Sequence, residues 1–207
     1  MAIAVAGASW LSPTRADAQG AAPSYGRVEG DVTWSAGVGA VVASGGPRAA
    51  GDLRLRYLDT AGLFATYEDA SLWGGGVDPR RVVAAGLEVR PLFLYRWLQG
   101  HESHRAWLDL TLDSLGLEVG TAWVQPVGAS LASSAAIQVG LGAELPVGGA
   151  ATGPWVGLHG GVRWSERALA NGAVATARDQ DVFLAITVAW HQVVVAHVVD
   201  LGDEAPR

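Results

Sequence analysis

The chain has 207 residues, half of them hydrophobic and 16% charged, against the ~25% charged residues of an ordinary soluble domain. That is one domain's worth of chain, yet no apolar run reaches the ~18 residues of a transmembrane helix. All 14 basic residues are Arg, 20 acidic residues leave a net charge of −6, and there is no Cys. This composition excludes a disulfide scaffold, thiolate chemistry, a Cys-based metal site and the basic face that nucleic acid requires.

Ala2–Leu11 is a short apolar segment, and Ala16-Asp17-Ala18 has the small-x-small pattern of a cleavage site, although Met1 runs straight into Ala-Ile-Ala without a basic region. Residues 1–18 are therefore expected to be a secretory signal peptide and 19–26 a periplasmic lead-in. From Arg27 onward the chain alternates apolar and polar residues with period two, the pattern of a strand with one greasy and one polar face.

The first strand is expected over about Arg27–Val42, with Val32, Trp34, Ala36 and Val38 on one face and Arg27, Glu29, Asp31 and Thr33 on the other. Ser44-Gly45-Gly46-Pro47 reads as a turn. Asp52–Leu58 and Leu63–Asp69 follow around Asp59-Thr60-Ala61-Gly62; one phase runs through both, so a single long strand is the alternative there. The fourth strand is expected over Arg81–Trp97, with Leu87 outward and Glu88 inward. The fifth covers Ala106–Val124, where a phase slip at Asp113-Ser114 reads as a β-bulge. Ser134–Leu145, Trp155–Ser165 and Asp181 to about Val199 complete a set of eight.

An even count, long connections after the third and seventh strands and a tight one after the second predict an all-β fold. It is an antiparallel up-and-down transmembrane β-barrel of about eight strands over 27–199, with a tail at 200–207. Tyr57, Tyr95, Trp97 and Trp190 fall towards one end and Tyr67, Trp123 and Trp164 towards the other, as aromatic girdles do. The inward faces collect Arg54, Arg56, Glu88, Arg90, Arg96, Asp109, Asp113, Glu144 and Arg163, with Arg27, Glu29, Asp31, Asp52 and Glu118. Charges in a lumen this narrow pair or stay wet, so a salt-bridged, largely filled interior is expected, with a narrow ion path as the alternative.

His101-Glu102-Ser103-His104 is the densest group of catalytic residue types, but spacing is not geometry, and a solvated turn is the expectation. His101 and His104 lack further metal ligands. Glycines at 157, 160 and 161 place His159 in close packing; His191 and His197 share a strand face without a carboxylate partner in sequence. Gly74-Gly75-Gly76 has no P-loop Lys. No catalytic residue, cofactor or metal is expected.

On these strands, girdles and leader, Arg27–Val199 resembles the small outer-membrane barrels of Gram-negative bacteria, of the OmpA and OmpX type. Ala85–Trp97 is also similar to segments of uncharacterised myxobacterial envelope proteins. The resemblance implies an outer-membrane location, surrounding lipid and lipopolysaccharide, insertion by the barrel-assembly machinery, and a monomer. The chain ends Ala205-Pro206-Arg207, where such barrels commonly carry a terminal aromatic. A structural or adhesive envelope role without turnover is expected. The alternatives are a narrow channel, a lipid-modifying enzyme such as a lipid A hydrolase, and a soluble secreted β-sandwich.

Overall fold

The computed structural model describes residues 25–73, 76–131, 135–171 and 179–196. The expected signal peptide, the tail at 200–207, Gly74, Gly75 and His197 lie outside them. Eight strands are present: β1 Val32–Ala43, β2 Gly46–Tyr57, β3 Ala61–Asp69, β4 Arg81–Val89, β5 Gly116–Gln125, β6 Ala136–Pro146, β7 Gly153–Trp164 and β8 Gln180–Val194. Each pairs antiparallel with the next, and β1 pairs with β8, which closes an up-and-down barrel. Closure removes the unpaired strand edges that would otherwise need cover.

The register carries the period-two pattern around the wall. Leu55, Leu63, Leu87 and Val119 stand in one row and face out; one residue along, Arg56, Glu88 and Glu118 face in with Gly62. Leu87 is 61% exposed and Glu88 1%, so the phase expected for the fourth strand holds where the strand exists. Val139 outward and Gln138 inward behave likewise on β6. Apolar side chains do enter the lumen: Phe64, Val82, Ala84, Ala122 and Ala136 in one group, Val41 with Phe183 and Ala185 in another, and Trp155 near the lower end.

Two expected strands are partly helix. β4 stops at Val89, and α1 occupies Leu92–Leu98. Pro91 is its N-cap: proline brings no N–H to a strand ladder and is tolerated at a helix start. The alternation from Leu92 to Trp97 is therefore carried on a helix, where Phe93 and Trp97, four apart, bring their rings within 6.3 Å. α2 covers Ala106–Asp113, and the slip read as a bulge is the junction between this helix and β5. Ala106, Leu108, Leu110 and Leu112 carry good helix propensity, and Asp109 and Asp113 share a face at i, i+4.

Both helices lie at the end where the chain enters β1 and leaves β8, called the lower end below. β2 and β3 are separate strands of 12 and 9 residues joined by Leu58–Thr60, and a second short turn, α3, spans Glu166–Asn171. Trp34, Tyr57 and Trp190 are exposed at the lower end of the wall and Tyr67 near the upper; Tyr95 and Trp97 sit on α1, not on a strand.

Candidate functional site

Strand parity aims a stack of charged side chains into the lumen, and they arrange themselves in tiers. In the upper tier Arg48 donates to Glu68 and Asp181 at 2.8 Å each, and Arg163 donates to Glu68 and to Gln138 at 2.7 Å. The Arg163 guanidinium also lies 4.0 Å from the Phe183 ring centre, a cation over an aromatic face.

The middle tier is built on Arg54. Its Nε and Nη2 grip Asp52 at 2.8 and 3.1 Å, and Nη1 donates to Glu118 at 2.7 Å. His159 Nδ1 is 2.8 Å from the same Glu118 oxygen and 3.1 Å from Arg54 Nη2, so the ring packs against both members of the pair. Room for this ring is made by Gly142 and Gly157, where a Cβ would come within 2.5 and 2.7 Å of the imidazole nitrogens.

In the lower tier Glu144 accepts from Arg56 at 3.0 Å and from Arg90, while Glu88 accepts from the same two arginines at 2.8 and 3.0 Å. Arg90 also reaches Asp59 at 3.4 Å. Leu58 and Asp59 both hold positive φ, 48° and 53°, and this turn brings a buried carboxylate over the lumen mouth. His191 is stacked on Trp155 at 4.6 Å and lies 3.6 Å from Glu144.

Below the strands the helices form a cap with its own ion pairs. Arg96 of α1 donates to Asp109 and Asp113 of α2 at 2.6 Å each. Arg27 donates to Asp113 and, at 3.1 Å, to Glu102, with its guanidinium 4.0 Å from the Phe93 ring centre. Tyr25 donates to Asp109 at 2.8 Å, and the Ser103 N–H donates to it at 2.9 Å. Burial alone would raise the Asp109 carboxyl; the hydrogen bonds from Ser103, Arg96 and Tyr25 overcome it and hold the group at about 2. Burial and the neighbouring Asp109 push the Tyr25 hydroxyl up to about 12. Ser114 ties the cap to the barrel, donating to the Glu144 carbonyl at 2.8 Å and accepting the Glu144 N–H at 2.7 Å.

Six of the nine charges expected to line the lumen, Arg54, Arg56, Glu88, Arg90, Glu144 and Arg163, do so and are buried. Arg96, Asp109 and Asp113 are corrected: they meet in the cap, because their segments are helical, and no strand parity governs them. Glu29, expected inward, is exposed, since β1 begins only at Val32. The turn at 101–104 is solvated at His101 and His104 but not at Glu102, which is buried against Arg27. The expectation that His191 has no nearby carboxylate is also corrected, by Glu144.

Sequence reasoning found Arg163 and Gln138 but missed the other three members of the upper tier. Arg48 lay between the turn at 44–47 and the strand expected from Asp52, and Glu68 and Asp181 stand near strand ends where phase is weakly defined. Between the upper and middle tiers a void of ≈20 Å3 touches Thr66, Gln138 and His159, room for about one water molecule. Among the described residues there is no cluster of three metal-ligating side chains. Among the described residues the lumen charges face one another and are paired. No protein family matches the chain, and no curated protein is similar to it.

Proposed function

We propose that the protein is an outer-membrane barrel of the small OmpA and OmpX kind, with a structural role in the envelope and a lumen shut by its own ion pairs. The observation that carries this reading is the inversion of polarity across the sheet. Leucine, valine and isoleucine cover the outside, among them Leu53, Leu87, Leu141, Leu158, Ile186 and Val188, while four strand-borne arginines and their carboxylates are buried within. A soluble barrel reverses this order, because apolar surface costs about 25 cal/mol per Å2 in water. Lipid removes that cost, and a closed strand ladder satisfies every backbone group that lipid cannot.

Strands of 9 to 15 residues meet the ~9–11 a tilted span requires. The exposed aromatics at both ends of the wall are suited to the two interfaces. In this reading both termini and the helical cap are periplasmic, the barrel-assembly machinery inserts the chain as a monomer, and lipid and lipopolysaccharide surround it. A structural role without turnover or conductance is supported by the tiers themselves: eight strands leave a lumen that side chains fill, and here those side chains are held by one another.

The test is fractionation followed by gel electrophoresis with and without boiling. An outer-membrane fraction with a heat-shifted band is expected. A chain that remains monodisperse in plain buffer, with no shift, overturns the reading.

A further inference from the structure

The outer wall is not evenly covered. On β3 and β4, Ala65 and Ala85 are paired across the seam and form the floor of a hollow of ≈540 Å3, walled by Leu53, Leu55, Leu63 and Leu87. It continues upward as a second hollow of ≈370 Å3 beside Gly51 and Tyr67, where nothing lies within 4 Å of the position a Gly51 Cβ would take. Downward it runs into a third of ≈290 Å3 near Ala61 and Tyr57. Leu53 and Ala65 border the upper two, and Leu55 and Leu63 the lower two, so the three form one trough along β2–β3. From position 61 to 67 it extends for roughly 20 Å at ~3.3 Å per residue, enough to cross the ~15 Å half-thickness of a bilayer's hydrocarbon core at a tilt.

The upper rim of this trough is cationic. Asp69 is fully engaged: it accepts from Tyr67 at 2.9 Å, from the Ser71 N–H at 2.7 Å and from the Ser71 hydroxyl, and from Arg81 Nε at 2.8 Å. Arg81 thereby uses one of its five donors. The side chain of Arg80, next to it and exposed, makes one hydrogen bond, to Ser71 Oγ at 3.3 Å, and no ion pair among the described residues. Two arginines against one carboxylate leave a net positive rim above a greasy slot, which is the shape of a lipid with an anionic head.

We infer that this trough seats one acyl chain of a lipopolysaccharide molecule, with a lipid A phosphate on Arg80 and the free donors of Arg81. The inference rests on the membrane reading above, since the rim then lies at the outer leaflet. Phosphate recognition by arginine is charge-assisted and geometrically selective. A second copy of the chain fits less well. A two-fold axis along the membrane normal would press the same seam against itself at equal height and bring both copies of Arg80 and Arg81 together.

The test uses the full chain folded into phosphatidylglycerol vesicles with and without lipid A, extracted into mild detergent and weighed by native mass spectrometry. Gel mobility before and after boiling verifies folding of each variant. One retained lipid A per barrel is expected. Arg80→Glu at the rim should reduce retention about tenfold, the effect of one lost charge-assisted contact, and Ala65→Phe should reduce it by filling the slot. Ala40→Phe, an equal change on the β1 wall, should leave it unaltered.

A heat-shifted parent without lipid A overturns the inference and leaves the membrane reading standing. So does retention that Arg80→Glu and Ala65→Phe do not alter, or phosphatidylglycerol retained as firmly as lipid A. A dimer that Ala65→Phe dissociates overturns it in favour of a second copy. A parent that stays in the aqueous phase without a heat shift overturns the membrane reading itself.

Discussion

The lumen and the cap are both built from arginines on buried carboxylates, yet they are held in different ways. In the lumen most charges are fixed by strands whose neighbours are fixed in turn; Arg54 or Arg56 cannot leave without disturbing a closed ladder. In the cap, Arg27, Arg96, Asp109 and Asp113 sit on two short helices and a lead-in turn, joined to the barrel by few contacts such as Ser114 with Glu144. The same ion-pair chemistry should therefore serve global stability in one place and local closure in the other. A buried pair broken on one side leaves an uncompensated charge, and the surrounding structure decides whether the whole fold or only one element yields.

The largest effect that would break this contrast is in the lower tier. Arg90→Ala takes the arginine from buried Asp59 and leaves Glu88 and Glu144 to Arg54 and Arg56, and should cost about 3–5 kcal/mol of global stability. Urea unfolding in vesicles, followed by tryptophan fluorescence, measures it; a loss below about 1 kcal/mol would mean the tier holds nothing together. Next comes the wall. Leu87→Arg places a charge on the outer face and should cost about 2–4 kcal/mol in a membrane, whereas in a soluble barrel the same exposed site should tolerate it.

The cap should respond locally. Arg96→Ala removes two 2.6 Å contacts from a partly accessible side chain, worth about 1–3 kcal/mol. Heat-shifted mobility should persist while trypsin cleaves at exposed Arg105 about tenfold faster, as local opening requires. If instead the whole barrel loses its shift, cap and lumen are one cooperative unit.

The smallest effect is titration of the cap. Asp109 is held at about 2 against an ordinary 3.8, so the folded cap binds fewer protons than the open one. Its contribution is complete above about pH 4 and is lost as pH falls towards 2. Tyr25, raised to about 12, works in the opposite direction: its contribution is complete below its ordinary 10 and is lost as pH rises towards 12. Trypsin or pepsin protection against pH reads the first limb and tyrosinate absorbance the second. Asp109→Asn should flatten the acid limb.

The sequence by itself determined the all-β barrel class and, where a segment is extended, which residues point in. Side chains alternate with period two wherever a segment is truly extended, and Leu55, Arg56, Leu87, Glu88, Gln138 and Val139 obey that alternation without reference to any neighbour. It also contained an unread signal for the cap, since Pro91 cannot sit inside a strand ladder.

Tertiary structure decided the rest. Whether Leu92–Trp97 and Ala106–Asp113 coil or extend depends on what covers the lower mouth, because their alternation satisfies both a strand and a short helix. Which carboxylate meets which arginine is a property of register around the barrel: Arg48 with Asp181 spans 133 positions and Arg163 with Glu68 spans 95. The outer trough likewise exists only because pairing of β2, β3 and β4 sets Ala65 beside Ala85 and Gly51 beside Tyr67. Pairing and packing are long-range, and a local pattern carries no information about the partner that folding brings beside it.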